Sequence, residues 1–333
     1  MSIEKSILLI YTGGTIGMQK GRDNSLVPFD FEQFIKEVPE LNSIDITLQS
    51  LTFKNPLDSS NMHPNNWVNL AEIIEKNYEK YHGFVILHGS DTMAYTASAL
   101  SFLFENLSKP VILTGSQLPI GIRRTDAKEN LITAIEIAAN GQVSEVAVYF
   151  EYKLFRGNRT VKINAEHFEA FDSPNYPYLA QAGVHINYYN NSPAKMSQAF
   201  LVHKCMDTSV ALLKLYPGIS IEIVQAILGS SSKGIVLETY GSGNAPTHTT
   251  FLKAINDAIE SGKIILNISQ CLSGSVSQGF YETSSKLEAM GVVSGKDMTS
   301  EAALTKMMFL LGQKIPHHQL KKQLSISLRG ELS

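Results

Sequence analysis

Apolar residues fall along this chain in two rhythms. Unbroken runs at Ile7–Tyr11, Phe84–Leu87, Val111–Leu113 and Val146–Phe150 have the length of strands buried on both faces. Between them apolar positions recur at helical spacing. Phe31, Phe34, Ile35 and Val38 follow Asp30 as a cap, and Trp67, Leu70, Ala71 and Ile74 follow Pro64. The pattern predicts further helices over Met93–Leu107, stopped by Lys109-Pro110, and around Asn130–Ala139. Each return to a parallel neighbour needs a crossover, so this alternation predicts a mostly parallel sheet covered on both faces. Met18 to Pro28, rich in Gly, Asp, Asn and Ser, is too long for a tight turn and reads as a mobile loop.

Around Asn187–Gln198 the pattern lapses into Asn, Tyr, Ser, Pro and Lys, the composition of a linker. A second α/β unit is expected beyond it. Its strands are Val210–Leu215, Ile235–Leu237 and Ile264–Ile268, with helices near Ile219–Leu228, Thr250–Glu260 and Glu301–Leu311 and a terminal surface helix carrying His317-His318. The expected organisation is thus a larger N-terminal α/β domain over 1–187, a linker over 188–208 and a smaller parallel-sheet domain over 209–333.

Composition narrows the function classes. Of 333 residues, 44% are hydrophobic and 18% charged, which is ordinary for a soluble globular protein. A formal net charge of −3, with no basic run longer than Lys321-Lys322, gives no electrostatic case for nucleic acid. No apolar segment approaches membrane-spanning length, and the first run is not preceded by a positively charged leader. Two cysteines, Cys205 and Cys271, cannot make a disulfide framework and suit a reducing compartment, so a cytoplasmic location is expected.

The polar clusters with chemical potential fall at the carboxyl ends of the predicted strands, where open α/β sheets bind ligands. The first run breaks into Thr12-Gly13-Gly14-Thr15-Ile16-Gly17, and the second into His88-Gly89-Ser90-Asp91-Thr92. Consecutive glycines let backbone approach something closely, and the flanking hydroxyls suit nucleophilic chemistry; a tight turn closing a strand is the alternative. Thr15 needs a base, and Lys162, in Arg156–Lys162, is the candidate if it is not simply a solvated surface lysine. Asp91 is able to steady that lysine and Ser90 to relay a proton, while Asp91 also suits the cap of helix Met93–Leu107. No zinc spacing, nucleophile elbow or complete nucleotide-binding glycine pattern occurs, and His88 reads as a structural hydrogen-bonder.

Taken together, Thr12–Gly17, His88–Thr92 and Arg156–Lys162 strongly resemble the bacterial L-asparaginases, closest to the cytoplasmic, type I branch. Asp58-Ser59-Ser60-Asn61-Met62, Thr114-Gly115-Ser116-Gln117, Gly241–Pro246 and Leu328–Leu332 also match, so the resemblance runs in order through nearly the whole chain. It implies hydrolysis of L-asparagine to L-aspartate and ammonia through an acyl-enzyme on Thr15, with Ser90, Asp91 and Lys162 as the assisting trio. It further implies substrate contacts at Asp58, Ser59, Ser60, Gly89, Ser116 and Asn244, and an oxyanion hole of N–H groups near Ser90 and Gly115-Ser116. No metal or cofactor is implied. The implied assembly is a homotetramer, a dimer of dimers, whose sites form between subunits, with Asn244 reaching across.

There are three departures from the family pattern. Ser90 replaces the usual threonine, and Leu26 best matches the position of a loop tyrosine that bonds the nucleophile. Some type I members bind an activating second asparagine through a threonine and an arginine. Those positions read Val161 and Glu238 here, with Cys271 retained. Glu238 would repel the effector's carboxylate, unless it turns outward or holds the effector's ammonium in a reversed pose. The competing function classes are a glutaminase, a glutaminase-type amidotransferase subunit and a non-catalytic amino-acid-binding protein.

Overall fold

The structure is a computed structural model and describes residues 5–20, 26–28, 38–43, 45–189, 198–279 and 282–333. The chain forms two compact units, divided between Lys204 and Cys205. The helix expected over Phe31–Val38 lies outside the described residues except for Val38, as does most of Asn187–Gln198. No helix among the described residues is long and apolar enough to cross a membrane.

The first unit is built on an eight-stranded sheet. Its parallel half runs, in spatial order, Val146–Phe150, Val111–Thr114, Gly83–Leu87, Lys5–Gly13 and Ile46–Leu57. The apolar runs sit where burial is two-sided. Ile7, Leu9, Val85, Leu87, Ile112 and Ala147 pack with Leu131, Ala134, Ile135 and Ala138 of helix Ala127–Asn140. The alternate residues Leu8, Ile10, Phe84, Ile86, Leu113 and Val148 point the other way and are equally buried. Helix Pro64–Asn77 starts on a capping box between His63 and Asn66, with Pro64 in its first turn, and buries Trp67, Leu70, Ala71 and Ile74 as expected.

Four features differ from the sequence reading. Ile46–Leu57 is a strand at the sheet edge, half of whose side chains are polar and nearly all of which are at least partly exposed, so no unbroken apolar run marks it. Past Phe150 the sheet continues antiparallel through Lys153–Arg156, Ala180–Ala182 and Ile186–Tyr188. The helix from Met93 ends at Leu103, four residues short of the expected Leu107. There Phe104–Glu105 pairs with Leu201–Val202, and Asn106 takes a left-handed φ of 58°. Finally, the two ends of the expected mobile loop are paired, Met18–Lys20 running antiparallel to Leu26–Pro28.

The second unit has a four-stranded parallel sheet in the order Val210–Lys214, Gly234–Thr239, Ile264–Ser269 and Val293–Ser294. Helices Ile221–Leu228, Thr249–Glu260, Ser300–Gly312 and His317–Ser325 match those expected, and Glu282–Ala289 adds another. One fully buried ion pair, Lys306 Nζ to Glu331 Oε1 at 2.6 Å, joins helix Ser300–Gly312 to the Leu328–Leu332 stretch.

Candidate active site

The strand Lys5–Gly13 leaves the sheet through two glycines with φ of 129° and 89°, a region that side chains disfavour. Space forbids a side chain as well. A Cβ on Gly13 would lie 2.0 Å from Leu57 O, and one on Gly14 would lie 2.4 Å from the Gly89 nitrogen. The chain ends of three neighbouring strands therefore meet backbone to backbone at this point. The same turn separates its two threonines. Thr12 is buried and its hydroxyl donates to Leu87 O at 2.9 Å, whereas Thr15 opens a short helical turn, Thr15–Gly17, and stays partly exposed. Tyr11 closes that turn by donating to Gly17 O at 3.0 Å, and burial raises its pKa to about 12, so it remains a donor.

Gly89 lies against Gly14, and the residue after it completes a second cluster. Lys162 Nζ donates to Ser90 Oγ at 2.9 Å and to Asp91 Oδ1 at 2.6 Å. The Lys162 side chain is only 17% exposed, so it is not a solvated surface lysine. Asp91 is not the helix cap considered above. It lies inside the turn Ser90–Thr92, Thr92 takes the cap position of the helix from Met93, and the Asp91 carboxylate goes to the lysine. Lys162 is delivered by a segment locked from behind. Arg156 Nε pairs with Glu145 at 2.6 Å, Thr160 Oγ1 donates to Arg156 O at 2.7 Å, and Val161–Lys162 pairs with Phe171–Asp172.

The other expected residues divide by location. Asp58 Oδ1 accepts from Ser60 N and Ser60 Oγ, both at 2.8 Å, and these bonds hold its carboxyl below the usual range. Asp58 is thereby a fixed negative charge, and the Ser60 hydroxyl is committed to it. Ser59 is buried with its Oγ against Gly89, where an added Cβ would lie 2.6 Å away, and Ser59 O accepts from Thr92 Oγ1 at 2.7 Å. Ser116 is also buried, its hydroxyl donating to Leu118 O at 2.6 Å. Thus Thr15, Asp58, Ser59, Gly89, Ser90, Asp91, Ser116 and Lys162 share one end of the first unit's sheet. Asn244 belongs to the second unit, where it closes the turn from Tyr240, exchanging backbone hydrogen bonds of 2.9 and 2.8 Å with that residue.

Glu238, also in the second unit, does not turn outward. It is buried, with Oε2 3.3 Å from Lys214 Nζ and Oε1 accepting from the Ser300 hydroxyl. Val161 is buried in the first unit, and Cys271 is a free, exposed thiol.

Sequence reasoning assigned no role to Gln117. Its Oε1 accepts a long bond from Ser90 Oγ at 3.4 Å, its Nε2 donates to His167 O at 3.0 Å, and its backbone N–H donates to Asp126 at 2.9 Å. It thereby ties the Ser90 hydroxyl to the chain just beyond Lys162. The only signal for it was its place next to Gly115-Ser116 at a strand end.

Comparison with known proteins agrees along the full length. Residues 6–194 match the family model described as asparaginase, N-terminal, and residues 209–324 match the glutaminase/asparaginase C-terminal domain. The chain is 44% identical over 333 residues to L-asparaginase 1 of Escherichia coli strain K12, covering 99% of this chain and 98% of that one. The crystal structure of L-asparaginase I from Vibrio cholerae superposes with a TM-score of 0.93 at 41% identity, over 99% of this chain and 100% of that one. The thermostable L-asparaginase from Thermococcus kodakarensis gives the same TM-score at 32% identity, over 98% and 99%. With both domain models matched in order and such identity over the whole length, the chain belongs to the asparaginase family.

Proposed function

We propose that the protein hydrolyses L-asparagine to L-aspartate and ammonia through a covalent intermediate on Thr15. The observation that carries this reading is the contact of Lys162 Nζ with both Ser90 Oγ and Asp91 Oδ1, one residue from the packing of Gly14 against Gly89. A protein that only binds an amino acid has no use for a lysine held beside two strand-end hydroxyl turns.

In this reading Thr15 Oγ attacks the side-chain amide carbon, and its proton passes through Ser90 Oγ to the amine form of Lys162. At rest Ser90 accepts from Lys162 and donates only a long bond toward Gln117, so the relay requires its O–H to turn from Gln117 to the lysine amine. N–H groups of Ser90 and Ser116 receive the oxyanion. Collapse breaks the C–N bond, and ammonia leaves with the proton. Water then attacks the Thr15 ester by the reverse relay, and L-aspartate is released. Asp58 faces the substrate's ammonium as a fixed negative charge, Ser59 binds its carboxylate, and Ser60 serves by holding Asp58 in place. Asn244 completes the site from another subunit of a homotetramer built as a dimer of dimers. Two free thiols, both exposed, fit a cytoplasmic protein.

Glutamine differs from asparagine by one methylene, which a pocket discriminates by about 1–3 kcal/mol, so slower release from L-glutamine is expected. Ammonia release from L-asparagine, D-asparagine and L-glutamine, over a wide concentration range, tests the reading. The expected order of kcat/KM is L-asparagine, then L-glutamine, with D-asparagine lowest. Release from none of the three, by folded protein, overturns it.

A further inference from the structure

Behind the two Gly-Ser turns lie two buried polar side chains that the mechanism above does not use. His88 and Asn130 are both fully buried. His88 Nδ1 lies 2.7 Å from Gly89 O, and Asn130 Nδ2 donates to Gly115 O at 3.0 Å. Each of these carbonyls belongs to the peptide whose other end is a serine N–H, of Ser90 in one case and Ser116 in the other. In a trans peptide the C=O and N–H point opposite ways, so a carbonyl held from the buried side aims its N–H out of that side.

The hydrogen bonds around both side chains have one consistent direction. Gly89 O only accepts, so His88 Nδ1 carries the proton and Nε2 is an acceptor. Thr96 Oγ1, 2.9 Å from Nε2, therefore donates to it, and accepts in turn from Trp67 Nε1 at 3.0 Å. Burial lowers the His88 pKa to about 4, which keeps the ring neutral at ordinary pH. Asn130 Oδ1 accepts from Glu151 N at 3.1 Å, which fixes its amide so that Nδ2 faces Gly115 O and Asp126 Oδ2. The two turns are also adjacent. Leu87 pairs with Thr114 in the parallel register, His88 N donates to Thr114 O at 2.9 Å, and a Cβ on Gly115 would lie 2.3 Å from His88 O. Neighbouring strands lie about 4.8 Å apart, a spacing that lets two N–H groups flank one oxygen.

We propose that His88 and Asn130 are positioning residues for the oxyanion hole, each pinning a glycine carbonyl so that the following serine N–H faces the developing negative charge. The inference rests on the amidohydrolase reading above. Thr96 belongs to the same device, since its hydroxyl holds the His88 proton on the nitrogen that reaches Gly89. A donor already bonded at its carbonyl end is also polarised, which strengthens its N–H.

The test compares His88→Leu, His88→Asn, Thr96→Val and Asn130→Ala with the unchanged protein by circular dichroism, by kcat and KM for L-asparagine, and by inhibition with L-aspartate. Loss of an oxyanion donor costs about 10²–10³ in kcat, so a donor swung off its line should cost roughly 10–100-fold. The expected result is that loss in kcat for His88→Leu and Asn130→Ala, with KM and the L-aspartate inhibition constant little changed. His88→Asn puts an amide N–H where Nδ1 was and should recover most of the rate. Thr96→Val should lower kcat several-fold, and it decides the matter should His88→Leu fail to fold. Wild-type kcat in folded His88→Leu or in Thr96→Val overturns the proposal. So does a parallel loss of kcat and aspartate binding that His88→Asn does not relieve, since that is general distortion of the site. If the unchanged protein releases no ammonia, the function reading has failed and not this one.

Discussion

Two lysine–carboxylate contacts in this chain have the same length, 2.6 Å, and opposite surroundings. Lys162 and Asp91 have side chains 17% and 65% exposed, whereas those of Lys306 and Glu331 are both 0% exposed. A pair with one partner in water contributes roughly 0–1 kcal/mol, because the carboxylate keeps its hydration when the lysine is removed. Lys162→Met is therefore expected to cost less than about 1 kcal/mol of stability, while the loss of a base costs about 10²–10⁴ in kcat. Glu331→Ala should do the reverse. It strands an ammonium whose remaining partners are Leu324 O at 3.0 Å and Ile326 O at 2.7 Å, and it removes the acceptor for the Leu328 and Arg329 N–H groups. Breaking a buried pair from one side costs about 3–5 kcal/mol. Burial is the main cause lowering the Lys306 pKa and Glu331 is the main cause opposing it, so the variant's lysine loses its proton more readily. A lysine whose folded pKa is depressed binds fewer protons folded than unfolded between its folded pKa and the unfolded value of about 10.4, so stability rises with pH across that interval. The Glu331→Ala deficit should accordingly shrink between pH 7 and pH 9.5. Urea unfolding of the full chain by far-UV circular dichroism gives the stabilities, and ammonia release at saturating L-asparagine gives the rates. A loss above 3 kcal/mol in Lys162→Met, or below 1 kcal/mol in Glu331→Ala at pH 7, would refute the reasoning.

Three other expectations follow from the geometry. Thr15→Ala should fold normally, since Thr15 is partly exposed, and should lose nearly all hydrolysis; more than a few per cent of wild-type ammonia release would move the nucleophile, with Thr12 disfavoured because its hydroxyl is bonded to Leu87 O. Glu151 has its pKa raised to about 7, first by burial and then by Asp126, Glu129 and Glu169, so its ionisation opposes folding: the penalty is absent below about pH 4.5 and complete above pH 7. Glu151→Gln should thus raise the melting temperature at pH 8 and leave it nearly unchanged at pH 4.5; equal shifts at both would contradict the assignment. Because Glu238 is turned inward onto Lys214 and Ser300 and Val161 offers no hydroxyl, initial rates against L-asparagine should be hyperbolic, and sigmoidality abolished by Glu238→Ala would overturn this.

What could be read from the sequence depended on where each segment ended up. Ile7–Tyr11 and Val146–Phe150 are buried on both faces and advertise themselves as apolar runs, whereas Ile46–Leu57 lies at the sheet edge, partly in water, with no such signature. The helix from Met93 was overrun because Phe104 and Leu107 continue its apolar spacing, and the partner strand Leu201–Val202 lies almost a hundred residues away. The glycine turns of the site were legible because close approach and positive φ demand glycine at Gly13 and Gly14. Lys162 meets Asp91 across 71 residues, and no local pattern encodes that meeting; the need of a threonine nucleophile for a steadied base suggested it, and the family resemblance pointed to the same residues. Gln117, Tyr11 and Asn130 act through backbone carbonyls or single hydroxyls, and such partners leave no mark on residue spacing.

The chain contains a single tryptophan, and Trp67 is the buried donor at the start of the bonds that reach Gly89 through Thr96 and His88. Its ultraviolet emission is therefore a label-free signal from one known place. In a denaturant titration that emission follows the first unit alone, while far-UV dichroism sums the helices of both. Two midpoints in one titration would separate the units without cutting the chain. In the native protein, a change in the colour or intensity of that emission when L-aspartate is added would mean that the ligand is felt at the indole, three hydrogen bonds behind the site.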